Sequence, residues 1–295
     1  MTRTLKEQVV KNALLLFTFA SIVVLGLIVA FLFMEGIPIF QVVSLKDFIL
    51  GVEWYPTYDP ADYGIGALIV GSLVVTLCAS IVAIPLGILS AVYIAELAPG
   101  SIKELFKPVV ELLAGLPSVV LGFFGMVVVA PWLQNTFGLA TGLNIVNASL
   151  ILAFMAVPTI ASITEDALYS VPMEFREASY ALGATKAETI VTVIVPSALS
   201  GISTAVMLGM SRAIGETMVV LMVAGGAAML PESIFDPVRP MPACIAAEMG
   251  ETPFRSAHYH ALFAIGMVLF FMTLAFNLAG ECISNKFRER GSATL

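Results

Sequence analysis

Apolar positions gather into six long runs with short polar stretches between them. A bilayer core takes about 20 apolar residues of helix, and the runs 13–34, 67–94, 109–133, 145–163, 197–229 and 261–283 are each of that order. The pattern predicts an all-α integral membrane protein with six transmembrane helices. Pro85, Pro117 and Pro158 fall inside the second, third and fourth runs. Interior prolines survive in membrane helices when neighbouring helices satisfy the freed backbone groups. Bent, closely packed helices are therefore expected. The first run follows Arg3, Lys6 and Lys11 and is longer than a signal-peptide core, so it reads as a retained helix. The expected division is a tail 1–12, a first span 13–34, a loop 35–66, a five-helix transmembrane domain 67–283 and a tail 284–295.

Composition sharpens this picture. Apolar residues make up 59% of the chain and charged residues 12%, against roughly half and a quarter in soluble domains. A net charge of -7 argues against a basic nucleic-acid surface. Cys78, Cys244 and Cys282 show no CxxC or Cys/His spacing, which points to neither a disulfide framework nor a metal site. Lysine and arginine set the orientation. Arg3, Lys6, Lys11, Lys103, Lys107, Arg176, Lys186, Lys286, Arg288 and Arg290 fall on one side; Lys46, Arg239 and Arg255 fall on the other. The expected topology places both termini in the cytoplasm.

Two polar features interrupt the apolar pattern. The first is the loop of about 164–196 between runs four and five, on the cytoplasmic side. Phe175, Ala178 and Leu182 recur at helical spacing and predict one apolar face. Gly183 is placed to end that helix, and Thr185 and Glu188 have capping-box spacing to start another. Pro196 is expected to begin the fifth span. Ala178 and Ser179 are small enough to let a partner approach closely. Periodicity alone leaves open a helix that merely rests on lipid headgroups.

The second feature is Arg212 and Glu216, both inside the fifth run. A charge near the bilayer centre costs about 2.5–3.5 kcal/mol on insertion scales, so two in one span call for a reason. On a continuous helix they share a face at i and i+4 and can pair. One reading is a self-satisfying structural ion pair. The other is a substrate path, in which the planar guanidinium suits an oxyanion and Glu216 holds Arg212 when substrate is absent. Other polar residues carry less. Ser101 and Glu104 have capping-box spacing, His258 and His260 read as interfacial polar residues, and Asn147-Ala148-Ser149 lies too near a span to be glycosylated. Gly225-Gly226 suggests a bend or close packing.

The loop spacing of Glu177-Ala178-Ser179, Gly183, Val193, Val195 and Pro196 resembles the EAA loop of ABC importer permeases. Residues 209–218 (Gly-Met-Ser-Arg-Ala-Ile-Gly-Glu-Thr-Met), 111–122 and 261–270 are similar to segments of the PstC phosphate permeases. That resemblance implies a MetI-like permease fold with cytoplasmic coupling helices between helices four and five. It implies phosphate as substrate, with Arg212 and Glu216 on its path and Glu177, Ala178, Ser179, Gly183 and Pro196 coupling to an ATPase. Ser179 stands where the family usually has alanine, expected to be a neutral small-for-small change. The implied partners are a PstA-like permease, two copies of a PstB-like ATPase and an extracytoplasmic phosphate-binding protein, in the plasma membrane of a prokaryote. No cofactor of the chain's own is expected, since ATP and Mg would be bound by the ATPase. The chain lacks G-x-x-x-x-G-K-[ST] and is expected to be no enzyme itself. Alternatives are a permease for molybdate, tungstate or sulfate, a stand-alone secondary transporter, and a non-transporting scaffold.

Overall fold

The structure, a computed structural model, describes residues 3–292. Met1, Thr2 and residues 293–295 lie outside the described residues. So do the side chains of Arg3, Lys6, Lys286, Arg288 and Arg290, which entered the charge count. Five helices are long and apolar enough to cross a membrane. These are Val10–Gln41 (span one), Gly66–Leu97 (span two), Ser118–Phe137 (span three), Ile145–Tyr169 (span four) and Ala257–Cys282 (span six).

Span five is broken, where the sequence predicts one continuous run. Lys186–Ser197 meets Leu199–Ile214 at a bend of 70°. The Leu199–Ile214 helix has 16 residues; at 1.5 Å each it is about 24 Å long, short of a roughly 30 Å hydrocarbon core. Residues 215–217 leave the helix, and Met218–Val223 resumes it. Gly225 and Gly226 then turn the chain at φ +91° and +71°, a conformation glycine takes without strain. Pro196 lies in the turn before the 70° bend, so the straight part of span five starts at Leu199.

Span three also differs from expectation. Residues 109–114 belong to a separate helix, Gly100–Ala114, and Pro117 sits at the cap of Ser118–Phe137 rather than inside it. Proline has no N–H to contribute, so a helix start suits it better than an interior. The Gly100–Ala114 helix is capped by Pro99, and the expected Ser101/Glu104 box does not form.

Three apolar clusters stack through the bundle. The middle one joins spans two, three and four to the Met218–Val223 helix through Val75, Leu121, Ile151, Ile160 and Val220. One end, here the hairpin end, carries the two-stranded hairpin Trp54–Tyr55 and Asp62–Tyr63 and packs Trp54, Ile65, Met241, Cys244 and Leu262. The opposite, loop end packs Ala91, Leu168, Ile190, Ile194 and Ile202. Small residues allow close approach between spans. Ile160 of span four lies between Gly87 of span two and Gly209 of span five, where an added Cβ would come within 2.7 and 2.6 Å of its side chain. Asn147 is buried and donates to the carbonyls of Gly125 and Gly142, so it ties span three to span four and no glycan fits there.

Overpacking a tight contact costs about 1–3 kcal/mol. Gly209→Val is expected to lower the thermal unfolding midpoint of the purified assembly. Adding Ile160→Ala is expected to recover part of the loss.

Candidate functional site

The loop between spans four and five folds as two short helices standing on the loop-end cluster. Met173–Ala181 ends in Leu182, and Gly183 follows at φ +88°. Space around Gly183 is open, so backbone conformation rather than room demands glycine there. An L-residue held left-handed costs roughly 1–2 kcal/mol. The second helix, Lys186–Thr189, starts with the expected capping box: Thr185 Oγ1 accepts from Glu188 N–H, and Glu188 Oε2 accepts from Thr185 N–H. The Thr185 backbone N–H and hydroxyl hold the Glu188 carboxyl below its ordinary range. A lowered native value means the cap's contribution is complete above the ordinary carboxylate range and fades as pH falls through the lowered value.

The apolar face of this loop is not the one the spacing predicts. Phe175 packs against the loop-end cluster. Ala178 and Leu182 instead point outward, and Leu182 is 89% exposed. The inward partner of Phe175 is Ser179, one helical turn on and buried. Its hydroxyl bonds the hydroxyl of Thr189 at 2.8 Å, joining the two short helices. Serine at 179 is therefore a structural strut and not a neutral stand-in for alanine. Glu177 is exposed beside Ala178.

Arg176 enters the sequence reading only as a positive charge, yet it anchors the loop. It donates to Leu168 O and Val171 O at the end of span four, and to Glu96 Oε1 at 2.7 Å at the end of span two. Both side chains of the Arg176–Glu96 pair are nearly buried. Eighty residues separate the two, so no local pattern signals the pair.

The charged pair of span five is arranged differently from a helical i,i+4 pair. Arg212 occupies the last turn of Leu199–Ile214, while Glu216 lies in the break. No ion pair joins them among the described residues. The Arg212 guanidinium is exposed and reaches Thr159 Oγ1 of span four at 3.5 Å. Glu216 Oε1 accepts from Val219 N–H at 3.3 Å and so caps the helix that resumes after the break. Next to Arg212, Ser211 Oγ donates to Asn277 Oδ1 of span six in a short hydrogen bond. The result is an outward-facing strip with one cation and several hydroxyl and amide groups. Both histidines have partners at the hairpin end: His258 Nε2 bonds the Glu248 carboxylate at 2.8 Å, and His260 Nδ1 donates to the Glu35 backbone carbonyl at 2.7 Å.

Losing one partner of a buried ion pair costs about 3–5 kcal/mol. Arg176→Gln and Glu96→Gln are each expected to loosen the loop from span two and raise its amide hydrogen exchange. Unchanged exchange in both variants would show that the pair is idle.

Comparison with known proteins gives this geometry a context. Residues 83–288 match the family of binding-protein-dependent transport system inner membrane components. A probable ABC transporter permease protein, YqgH, of Bacillus subtilis is 40% identical over 88% of this chain and 84% of its own. The phosphate transport system permease protein PstC of Mesorhizobium japonicum is 34% identical over 77% of this chain and 74% of its own. Among solved structures, a bacterial ABC transporter for import of the polysaccharide alginate matches with a TM-score of 0.65 at 14% identity, over 96% of this chain and 99% of that one. A chain of the MetNI methionine transporter, inward facing, matches with a TM-score of 0.56 at 21% identity, over 76% and 94%.

Proposed function

The chain belongs to the family of binding-protein-dependent transport system inner membrane components, among the PstC-type ABC permeases, and on that premise we propose that it carries phosphate through half of an ATP-driven importer. Its fold is that of the MetI-like permeases and it is a multi-pass membrane protein. The loop end is assigned to the cytoplasm, the hairpin end to the outside, and both termini to the cytoplasm. Permeases of this family work with ATPase and binding-protein partners. The partners proposed here are a PstA-like permease, two PstB-like ATPase subunits that hold the ATP and Mg, and an extracytoplasmic phosphate-binding protein.

One observation carries the reading. The Met173–Ala181 helix presents Glu177, Ala178 and Leu182 outward, while Phe175 and Arg176 bind it to spans two and four. That suits a docked helix moved by a partner. A push by the ATPase on the outward face would reach the loop-end cluster, which contains Ile194, Ala198 and Ile202. The Leu199–Ile214 helix, which ends beside Arg212, would move with it. Phosphate at Arg212 would meet a guanidinium, Thr159 and Ser211. Arg212 rests against Thr159 rather than Glu216, which leaves the guanidinium free to take an anion. The reaction is transport, and ATP is cleaved in the partner subunit.

Hydrogen bonds to a charged group contribute about 1.5–3 kcal/mol, or roughly tenfold to a hundredfold. Arg212→Ala is expected to cut ATP-driven phosphate uptake into proteoliposomes by that factor with assembly unchanged. Full uptake in that variant, or molybdate uptake without phosphate uptake in the wild type, would overturn the reading. Gly183→Trp is expected to leave the assembly in the membrane and hydrolysing ATP, with uptake lost. Normal coupled uptake would show that the turn at 183 is not needed for coupling.

A further inference from the structure

The hairpin end carries a preformed cavity that the transport path does not use. It has a volume of about 590 Å³ and lies between the Trp54–Tyr63 hairpin, residues 226–229 and the segment 248–258. Its floor is a saturated carboxylate. Glu248 accepts from Trp54 Nε1 at 3.0 and 3.1 Å, from Arg239 Nη1 at 2.5 Å, and bonds His258 Nε2 at 2.8 Å. Thr252 Oγ1 donates to the Glu248 carbonyl beside it. This hub draws on three separate segments, so the walls are fixed before any ligand arrives. The rim is aromatic and open. Tyr55 and Tyr58 stack at 5.1 Å, Tyr58 is 66% exposed, and Met229 is half exposed. Exposed aromatic and apolar side chains around a concave, rigid floor mark a protein-recognition surface.

Charge identifies the kind of occupant. Glu53, Asp59, Asp62, Glu232 and Glu251 are exposed around this end, and none forms an ion pair among the described residues. Among the described residues at this end, Lys46 and Arg255 stand exposed against them, while Arg239 is held by Glu248 and by the Gly226 carbonyl at 2.7 Å. Such a surface repels free phosphate. It attracts a protein whose contact face is basic, and complementary charge speeds that encounter.

We infer that the cavity bounded by Trp54, Tyr58, Met229 and Glu251 seats a basic projecting segment of the extracytoplasmic phosphate-binding protein. This rests on the importer reading above and adds where delivery takes place and by what chemistry. The seat also has a physical link to the path. Gly226, whose carbonyl holds Arg239, lies just beyond the Met218–Val223 helix, and Val238 N–H bonds the Ala224 carbonyl. These bonds join the cavity wall to the end of span five nearest the hairpin.

The test uses the assembled transporter in proteoliposomes with purified, phosphate-loaded binding protein at graded concentrations. Asp59→Lys with Glu251→Lys is expected to raise the half-maximal concentration for stimulated ATP hydrolysis about tenfold or more, with the maximal rate unchanged. Added salt is expected to raise that concentration in the wild type and to change it little in the variant. A photo-crosslinking amino acid at the exposed position 58 is expected to capture the added binding protein, and an excess of the unlabelled protein to abolish capture. An unmoved half-maximal concentration overturns the docking surface, as does capture of the second permease whether or not binding protein is present. Wild-type phosphate uptake distinguishes the two levels. Its absence overturns the importer reading as well, and its presence confines a failure to the docking surface.

Discussion

A hydrocarbon core supplies no hydrogen bonds, so each break in a membrane helix must find its partners inside the protein. The structure obeys this constraint at each interruption of span five. In the 215–217 break, Glu216 N–H returns to the Ala213 carbonyl, Thr217 Oγ1 donates to the Gly215 carbonyl, and Glu216 Oε1 takes Val219 N–H. At the glycine turn, Gly226 N–H bonds the Val238 carbonyl. The same loop satisfies the start of span four, where Ile145 and Val146 donate to the carbonyls of Asp236 and Ile234. Two of the wide π turns obey the same logic. Gly125–Val129 and Ile190–Ile194 lie just before Pro131 and Pro196, which continue the helix. A proline in a helix clashes with the carbonyl four residues earlier, and in both cases that residue lies in the widened turn.

The same need for internal partners shapes how the loop end is held. A surface helix tied only by apolar contacts can slide, since dispersion is non-directional. Arg176 adds direction with its donors to Leu168, Val171 and Glu96. Buried ion pairs give little net stability, and their best-attested use is to fix register. Here the registered elements are the ends of spans two and four, with the Ser179–Thr189 hydroxyl contact fixing the second short helix against the first.

Much of this was legible in the chain and some was not, for identifiable reasons. Hydropathy depends on composition within about twenty residues, so the apolar runs that become spans could be read directly, although span four continues to Tyr169, past the expected loop start near 164. The capping box and the glycine turn were legible because both are local motifs. The start of span three was misplaced because a window over 109–133 absorbs the end of an amphipathic helix; Glu111 inside that window was the available warning. The break in span five was missed because Gly215 alone does not stop a helix, and that error produced the expected Arg212–Glu216 pair. Helical spacing also grouped Ala178 and Leu182 with Phe175 on one apolar face, since a short helix with mixed small residues has two plausible apolar stripes. The Arg176–Glu96 pair and the Glu248 hub join residues far apart in sequence, which no periodicity encodes.

On the importer reading proposed above, Arg212 accounts for why one chain would be only part of the working unit. A lone charge facing lipid at this depth costs about 2.5–3.5 kcal/mol. The 3.5 Å contact with neutral Thr159 does little to offset that. Glu216 does not neutralise it, being turned toward Val219 N–H. Arg212 belongs instead against water or another protein surface. Around it, Ser211 and Asn277 are held to each other and Thr204 to Ser284, so spans five and six also present hydroxyl and amide groups on this side. On the same importer reading, this stripe of polar groups with one cation lacking an acidic partner among the described residues would be half of a lining. A second permease would close it into a water-filled path, where the same guanidinium that is a liability in lipid becomes the point of attraction for an anion.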